Sequence, residues 1–268
     1  MAANEQSSRW NLLLAMLAQR GRLTVAEVCA ELGVSEATVR RDFGVLAAQQ
    51  LAARTHGGVV ATTVAYDLPA RYRTASTDLS KQRIAEVAAS RIRLGSVVGF
   101  NGGTTTSATA RQLAARPDIA GSALRPALTV VTNALNIATE LVLRPTIRCI
   151  SLGGAARTES YELTGSLTMT SLRDLWLDLL VLGVDALCAE LGASCRHDDE
   201  AAVNAAMVRR AGRVVVVATG DKVGERTLAT ICAASAVHEL VTDLRAPQEA
   251  LDELREIGVT VTVVPDGA

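Results

Sequence analysis

The first fifty residues space their apolar positions as three short amphipathic helices. The first helix carries a stripe at i, i+3, i+4 and i+7, formed by Trp10, Leu13, Leu14 and Leu17. Thr24 precedes Glu27 by three residues, the spacing of a capping box that starts a second helix. Gly33 supplies a left-handed turn, and Ser35 can cap the third helix. The pattern therefore predicts helix, turn, helix, turn, helix.

The third predicted helix separates an apolar face from a face of small and basic residues. At 100° per residue, Val39, Phe43 and Leu46 point inward. The outer face and its edge hold Ser35, Ala37, Thr38, Arg40, Arg41, Gly44 and Ala48. Small residues allow close approach to a surface, and arginine can fork onto guanine edges or phosphates. We therefore expect a recognition helix that enters DNA, although amphipathic helices of this kind also occur in domains that never bind it.

A short hairpin is predicted directly after the third helix. Two apolar runs, residues 51–54 and 59–60, flank the turn Thr-His-Gly-Gly, which is typical of the wing of a winged helix-turn-helix. Arg54 and His56 are expected near the DNA backbone. Residues 1–60 contain six arginines against five acids, counted directly along the sequence. Because its net charge is close to zero, this module makes few phosphate contacts. DNA binding is therefore predicted to require a homodimer or homotetramer.

The remainder of the chain alternates helices with continuous apolar strands. Residues 62–78 show no sustained period and are predicted as a linker, so the expected domains are 1–61, a DNA-binding domain, and 79–268, an effector-binding and oligomerisation domain. Strands are predicted at 97–100, 128–132, 147–152, 179–184, 214–218, 239–242 and 259–264. Helices are predicted at 81–94, 105–115, 134–143, 167–175, 200–211 and 247–257. This alternation indicates an α/β fold with a doubly wound, mostly parallel sheet.

Small, polar or charged residues follow five of these strands. Because ligands of such sheets bind at the carboxyl ends of strands, we expect these residues to form one crevice. The candidates are Asn101, Gly102, Gly103, Thr104, Thr105, Thr106, Thr132, Asn133, Gly153, Gly154, Asp185 and Lys222. Glycines, threonine hydroxyls and a helix N-terminus can bind an anion, so the set favours a phosphate-bearing polyol. A single Gly-Thr loop alone would be an ordinary strand-to-helix turn.

Lysine is rare in this chain. Of 27 basic residues only Lys81 and Lys222 are lysines. Lys222 follows a predicted strand and is the stronger candidate for a phosphate or hydroxyl contact. Lys81 opens the predicted helix at 81–94, where a solvated residue is about as good an interpretation as a ligand.

Composition narrows the class of protein without defining a site. The net charge of −1 argues against a protein that coats nucleic acid indiscriminately. No apolar run of about 18 residues predicts a membrane span, and no secretory signal opens the chain, so a cytoplasmic location is expected. Five scattered cysteines without a C-x-x-C pair are expected to be reduced thiols. Cys188, Cys195 and His197 lie near one loop but do not have a recognised zinc spacing, and no metal or cofactor is expected.

Specific motifs resemble the DeoR-type regulators. The matching positions are Arg9, Leu13, Leu17, Ser35, Thr38, Val39, Arg40, Arg41, Asp42 and Phe43, with His-Gly-Gly at 56–58. In the second half, residues 130–141, Leu-Gly-Gly, Gly-Val-Asp and Lys-x-Gly also look like that family's sensor domain. The resemblance implies operator binding, a phosphorylated-sugar effector and a fold similar to ribose-phosphate isomerase. The sequence departs from the family pattern at Asn101 and Thr219, where the family usually has aspartates that accept from sugar hydroxyls.

The sequence thus predicts that the protein is a DNA-binding transcriptional regulator of a carbohydrate operon, that it acts by repression, and that it is not an enzyme. The alternative is a sugar-phosphate isomerase or deaminase on the same fold, with Asp185 or Glu200 as the base. A third possibility is an oligomerisation domain without a ligand.

Overall fold

The computed structural model describes residues 9–10, 12–13, 16–17, 20, 22–48, 52–55, 57–61 and 79–265. The chain separates into two compact units, Met1–Leu68 and Pro69–Ala268. The predicted linker at 62–78 lies outside the described residues.

The amino-terminal unit is a helix-turn-helix followed by a hairpin. Its described elements are a helical segment at 9–10, 12–13, 16–17 and 20, then β1 (Arg22–Thr24), α1 (Val25–Leu32), α2 (Glu36–Ala48), β2 (Ala52–Thr55) and β3 (Gly58–Ala61). The strands form an antiparallel sheet in the order β1-β3-β2. The predicted capping box is confirmed, since Thr24 and Glu27 exchange hydrogen bonds at the start of α1, and Gly33 ends that helix with φ +64°.

The strand β1 was not predicted. Its three residues pair with β3, which extends the two-stranded hairpin into a three-stranded sheet. Three residues are too few to show the alternation of apolar and polar positions that indicates a strand. The segment is extended because it pairs with β3.

The second unit is built on a seven-stranded sheet. Its elements are α3 (Leu79–Ser90), β4 (Val97–Phe100), α4 (Thr104–Ala115), α5 (Pro117–Ala120), β5 (Leu128–Thr132), α6 (Leu135–Leu141), β6 (Ile147–Ser151), β7 (Ala155–Ala156), β8 (Leu163–Thr164), α7 (Ser166–Leu172), β9 (Leu179–Gly183), β10 (Ala186–Cys188), β11 (Gly192–Cys195), α8 (Asp198–Arg209), β12 (Val214–Val217), β13 (Ala229–Cys232), β14 (Glu239–Asp243), α9 (Gln248–Glu256) and β15 (Thr260–Val264). The order is β15-β14-β12-β9-β4-β5-β6, and every pairing is parallel. The predicted α/β class and parallel sheet are confirmed.

Two apolar cores cover the faces of this sheet. One contains Leu180, Leu182, Val214 and Val216, and the other contains Val181, Val215 and Val217. Neighbouring residues of one strand enter opposite cores because side chains alternate across a strand. Burial on both faces explains why these strands read as unbroken apolar runs rather than alternating ones.

Two small antiparallel sheets were missed in the sequence. The strands β7 and β8 form a two-residue ladder, and β10, β11 and β13 form a three-stranded sheet. Both lie within connections from one strand of the main sheet to the next. Among the described residues, no helix is long and apolar enough to cross a membrane.

Candidate effector cavity and DNA-binding surface

The helix α2 has the two faces that its sequence indicates. Val39, Phe43 and Leu46 are fully buried, while Ala37, Arg40 and Arg41 are exposed. The hydroxyl of Ser35 accepts from the backbone N–H of Thr38 at 3.3 Å, which caps the helix. Thr38 and Gly44 are half-buried at the edge of the exposed face. Arg41 makes no hydrogen bond or ion pair with any residue that the structure describes, so its guanidinium is available to a partner.

Asp42 ties the recognition helix to the first helical segment. Its buried carboxylate accepts from Arg9 Nε at 2.6 Å and from Trp10 Nε1 at 2.9 Å. Burial opposes ionisation of Asp42, but these two hydrogen bonds hold the pKa of the carboxyl below its ordinary value. Asp42 and Arg9 are thus structural members of the motif, and they fix the helix that carries Arg41.

Arg54 contacts the recognition helix in this structure. It donates from Nη2 to the carbonyl oxygen of Arg40 at 3.1 Å, and a Cβ added to Gly44 would lie 3.2 Å from that nitrogen. The wing strand β2 is therefore held against α2 through this arginine. Contact of Arg54 with DNA stays a prediction, and His56, predicted beside it, lies outside the described residues.

A cavity of about 380 Å³ opens at the carboxyl ends of β4, β9 and β12. The predicted residues that line it are Lys81, Asn101, Gly102, Gly103, Thr104, Thr105, Asp185 and Lys222. The strand-to-helix loop after β4 and the residues after β9 and β12 meet there because β12, β9 and β4 are neighbours in the sheet.

One side of the cavity suits an anion. The helix α4 starts behind Gly103 without a side-chain cap, so its first backbone N–H groups are available to a ligand. Lys222 donates to the carbonyl oxygen of Val184 at 2.7 Å, and burial lowers the pKa of its ammonium despite the nearby Asp185. Lys81 and Arg196 also line this cavity.

Asn101 serves as a clamp between two strands. Its Nδ2 donates to the carbonyl oxygen of Gly183 at 3.0 Å, and its Oδ1 accepts the backbone N–H of Gly183 at 2.7 Å. An ionised aspartate could accept from this N–H but could not donate to the carbonyl. The amide at position 101 therefore joins β4 to β9, although Asn101 also borders the cavity.

Five predicted effector residues do not line the cavity: Thr106, Thr132, Asn133, Gly153 and Gly154. Residues 152–178 connect β6 to β9, and we call this segment the excursion. It covers the ends of β5 and β6. Leu163 donates its backbone N–H to the carbonyl oxygen of Asn133 at 2.6 Å, and Thr168 donates to that of Gly153 at 2.5 Å. Thr106 instead donates its hydroxyl to the carbonyl oxygen of Gly103 at 3.0 Å. Three of the five strand ends therefore meet at this cavity, and a contact of the effector with the residues after β5 and β6 stays a prediction.

The same excursion also places acidic residues at the cavity. They were not predicted, because only residues that directly follow the strands were considered. Glu162 lies after β7 and borders the cavity beside Glu200 and Asn204 of α8. Burial, and then the negative charge of Glu200, raises the pKa of Glu162 to about 8. The sequence did carry one signal, an acid inside the otherwise apolar and small run Tyr-Glu-Leu-Thr-Gly.

Glu200 is held by its own partners. Ser160 donates to Glu200 Oε1 at 2.5 Å, and the Nε of Arg157 lies 3.0 Å from the same oxygen without hydrogen-bonding geometry. Arg157 also pairs with Asp199 at 3.2 Å. A carboxylate so occupied is a poor general base, and Asp185 accepts the backbone N–H of Arg196 at 3.1 Å.

No cluster of three potential metal ligands occurs among the residues that the structure describes. The five cysteines are free thiols, and Cys195, which borders the cavity, has a pKa raised to about 12, chiefly by burial. A thiol of that kind stays protonated and does not act as a nucleophile at neutral pH.

Comparison with known families covers both units. Residues 9–64 match the DeoR-like helix-turn-helix domain, and residues 77–244 match the DeoR C terminal sensor domain. The chain belongs to the DeoR family. Its predicted membership is therefore confirmed, and with it the assignment as a DNA-binding transcriptional regulator.

Curated relatives of this DeoR-family chain match along nearly its whole length. A putative aga operon transcriptional repressor of Escherichia coli O157:H7 is 30% identical over 261 residues, covering 96% of this chain and 94% of the relative. The glycerol-3-phosphate regulon repressor of Escherichia coli K12 is 28% identical and covers 94% and 96%. The transcriptional repressor GlcR of Bacillus subtilis is 30% identical and covers 96% of each chain.

Solved structures similar to the chain include ribose 5-phosphate isomerases. The enzyme from Methanocaldococcus jannaschii is 14% identical with a TM-score of 0.37, and the match covers 57% of this chain and 55% of that one. An isomerase in complex with phospho-erythronic acid is 17% identical with a TM-score of 0.39 and covers 57% and 55%.

Proposed function

We propose that this DeoR-family regulator is a repressor whose occupancy of operator DNA is set by a phosphorylated sugar in the cavity at the ends of β4, β9 and β12. The observation that carries the proposal is the pairing of an uncapped helix α4 with Lys81 and Lys222 around one cavity. Backbone N–H groups and ammonium groups are suited to a phosphate, and the carboxyl groups that border the same cavity offer acceptors to hydroxyls. The curated relatives named as repressors support the same reading.

Control of DNA binding requires that the ligand prefer one conformer of the protein. A ligand shifts an equilibrium only through its differential affinity for two states, so the sugar phosphate must bind the DNA-releasing conformer more tightly. The nearly neutral charge of the amino-terminal unit further supports a homodimer or homotetramer, in which several recognition helices act together. Sedimentation of the free protein and of its DNA complex measures that stoichiometry.

DNA recognition is tested with fragments selected from a genomic pool by the wild-type protein. Arg41→Ala should weaken binding by about 1–3 kcal/mol and relax preference at one base position, because an exposed guanidinium that reads guanine is lost. Arg22→Ala, an exposed arginine on β1, is the matched control and should have little effect. Unchanged affinity and base preference in the Arg41 variant would refute the assignment of the recognition helix.

The effector site is tested with glycerol 3-phosphate, glucose 6-phosphate and ribose 5-phosphate. A ligand at 100 times its dissociation constant adds about 2.7 kcal/mol to the unfolding free energy and raises the melting temperature. Lys222→Met should abolish that rise, whereas Lys222→Arg should keep most of it. No rise with any ester, or a full rise in Lys222→Met, would overturn the site, and turnover of ribose 5-phosphate would overturn the non-enzymatic part of the proposal.

A further inference from the structure

Glu162 is fixed in place by its backbone on both sides. Arg157 donates its backbone N–H to the carbonyl oxygen of Glu162 at 3.0 Å, and the next residue, Leu163, is hydrogen-bonded to Asn133. The side chain is almost fully buried while still bordering the cavity. A ligand that enters the cavity therefore meets this side chain.

The carboxyl group of Glu162 is surrounded by amides rather than cations. Asn133 donates from Nδ2 to Glu162 Oε2 at 3.1 Å, and the backbone amide of Gly102 and the side chain of Asn204 lie beside the same carboxyl and act to lower its pKa. Within the described part of the chain no arginine, lysine or histidine forms an ion pair with it. Amide donors hold a carboxyl group in position but leave a buried negative charge uncompensated.

Charged groups face Glu162 from several elements. The helix α8 contributes Glu200 and Asp199, whose charges are shared with Arg157 of the same excursion. The other titratable or charged groups that line the cavity are Glu159 on the excursion, Asp185, Cys195, Arg196 and His197 between β9 and α8, Lys81 on α3 and Lys222 after β12. The nearest carboxylate, Glu200, therefore opposes a negative charge on Glu162.

Two acceptors beside this carboxyl group are buried, the Oδ1 atoms of Asn133 and Asn204. No residue that the structure describes donates a hydrogen bond to either of them. Asn133 already donates its amide to Glu162, and the amide of Asn204 lies beside the same carboxyl. Buried acceptors without donors are costly, and a neutral carboxylic acid carries an O–H that an ionised one lacks.

Gly102 connects Glu162 to the anion-binding loop. A Cβ at position 102 would overlap the side chain of Glu162, and the backbone amide of Gly102 lies beside that carboxyl and acts to lower its pKa. An anion at Gly102–Thr105 therefore has Glu162 as an immediate neighbour. A negative charge there would repel the anion, whereas a neutral acid would present it with an O–H donor.

We propose that Glu162 is a ligand-contacting residue that acts as the neutral carboxylic acid, so that an anionic ligand binds only together with the proton on Glu162. The inference rests on the proposed function, because it concerns the same cavity and its phosphate ester. The pKa of about 8, raised first by burial and then by Glu200, agrees with this geometry and makes Glu162 mostly neutral at pH 7.

The test is calorimetric binding of glucose 6-phosphate and glycerol 3-phosphate to the full chain at pH 7, 8 and 9. Phosphate esters are dianions throughout, since their second pKa is about 6. If only neutral Glu162 admits the ligand, affinity falls about tenfold between pH 7 and pH 9. Binding at pH 9 then takes up about 0.9 proton, measured in buffers of different ionisation enthalpy.

Three variants separate Glu162 from the other titrating groups. Glu162→Gln should bind within about threefold of wild type at pH 7 and lose the proton uptake at pH 9. Glu159→Gln, at an exposed carboxylate of the same cavity, should keep the uptake. Lys222→Arg, which cannot titrate in this range, should also keep it.

Each remaining outcome overturns the inference. Equal proton uptake in wild type and Glu162→Gln would assign the proton to another group, and loss of uptake in Lys222→Arg would assign it to the lysine. A folded Glu162→Gln that no longer binds at pH 7 would mean that the ionised form is required. Absence of binding to the wild type would overturn the proposed function as well, whereas binding without proton uptake would overturn only this inference.

Discussion

Two glutamates are buried at opposite ends of the same sheet, and their surroundings differ completely. Glu239 begins β14 and accepts from Arg91 at 3.0 Å, from Arg213 at 2.9 Å and from Thr262 at 3.0 Å. Glu162 lies at the carboxyl ends of the strands, where it accepts from the Asn133 amide and has Glu200 as an acidic neighbour. The first arrangement neutralises a buried charge, and the second leaves it uncompensated beside an open cavity.

The difference agrees with the proposal that a ligand binds at the carboxyl ends of the strands, whereas the opposite end of the sheet holds a charge-compensated carboxylate. The negative charge of a buried carboxylate with two guanidinium partners is compensated, so such a carboxylate has a structural role. A buried carboxyl with a raised pKa at the mouth of a cavity is typical of a functional site, where local stability is given up.

The largest effect is expected from Glu162→Gln, measured as unfolding free energy against pH. Because the folded protein holds its proton up to about pH 8 and the unfolded chain releases it near 4.5, wild-type stability should fall as the pH rises between these values. The fall is on the order of 4–5 kcal/mol at most, and Glu162→Gln should remove it and be the more stable protein at pH 8.5. Parallel stability curves for the two proteins would show that Glu162 is not a buried uncompensated acid.

A comparable effect is expected when Glu239 loses both cations. Arg91→Ala combined with Arg213→Ala should reduce the unfolding free energy at pH 7 by about 3–5 kcal/mol, because a buried carboxylate is left without compensation. Each single substitution should cost less than half of the double one, since the other guanidinium remains. Chemical denaturation of the three variants measures this, and a strictly additive result would contradict a shared network.

A smaller effect is expected to distinguish two glycines that follow strands β4 and β6 of the same sheet. Gly102→Ala should cost about 1–3 kcal/mol and weaken ligand binding, because the added Cβ overlaps the Glu162 side chain. Gly153→Ala is the control, since its nearest neighbour would be Ser171 Oγ at 3.8 Å, and it should change either quantity little. Thermal melts with and without glucose 6-phosphate compare them, and equal effects would mean that Glu162 does not press on Gly102.

The sequence predicted most of the main elements because their causes are local. The spacing of apolar residues placed all seven strands of the parallel sheet, and the residues of the Thr24 capping box and the Gly33 turn were recognised from spacing alone. The candidate site was predicted in part, since the loop at 101–105, Asp185 and Lys222 do line one cavity. Thr132, Asn133, Gly153 and Gly154 do not, because another segment covers their strand ends.

The sequence by itself thus determined the family, the order of strands and helices along the chain, and the face of α2 that carries Arg41. Periodicity and capping act within about a dozen residues, so they can be read from the chain alone. Only the tertiary structure decided that Asn101 clamps β4 to β9, that Arg54 holds the wing to α2, and that Glu162 reaches the cavity. These contacts join residues 14 to 82 positions apart or depend on how the excursion between β6 and β9 packs, and no local spacing encodes them.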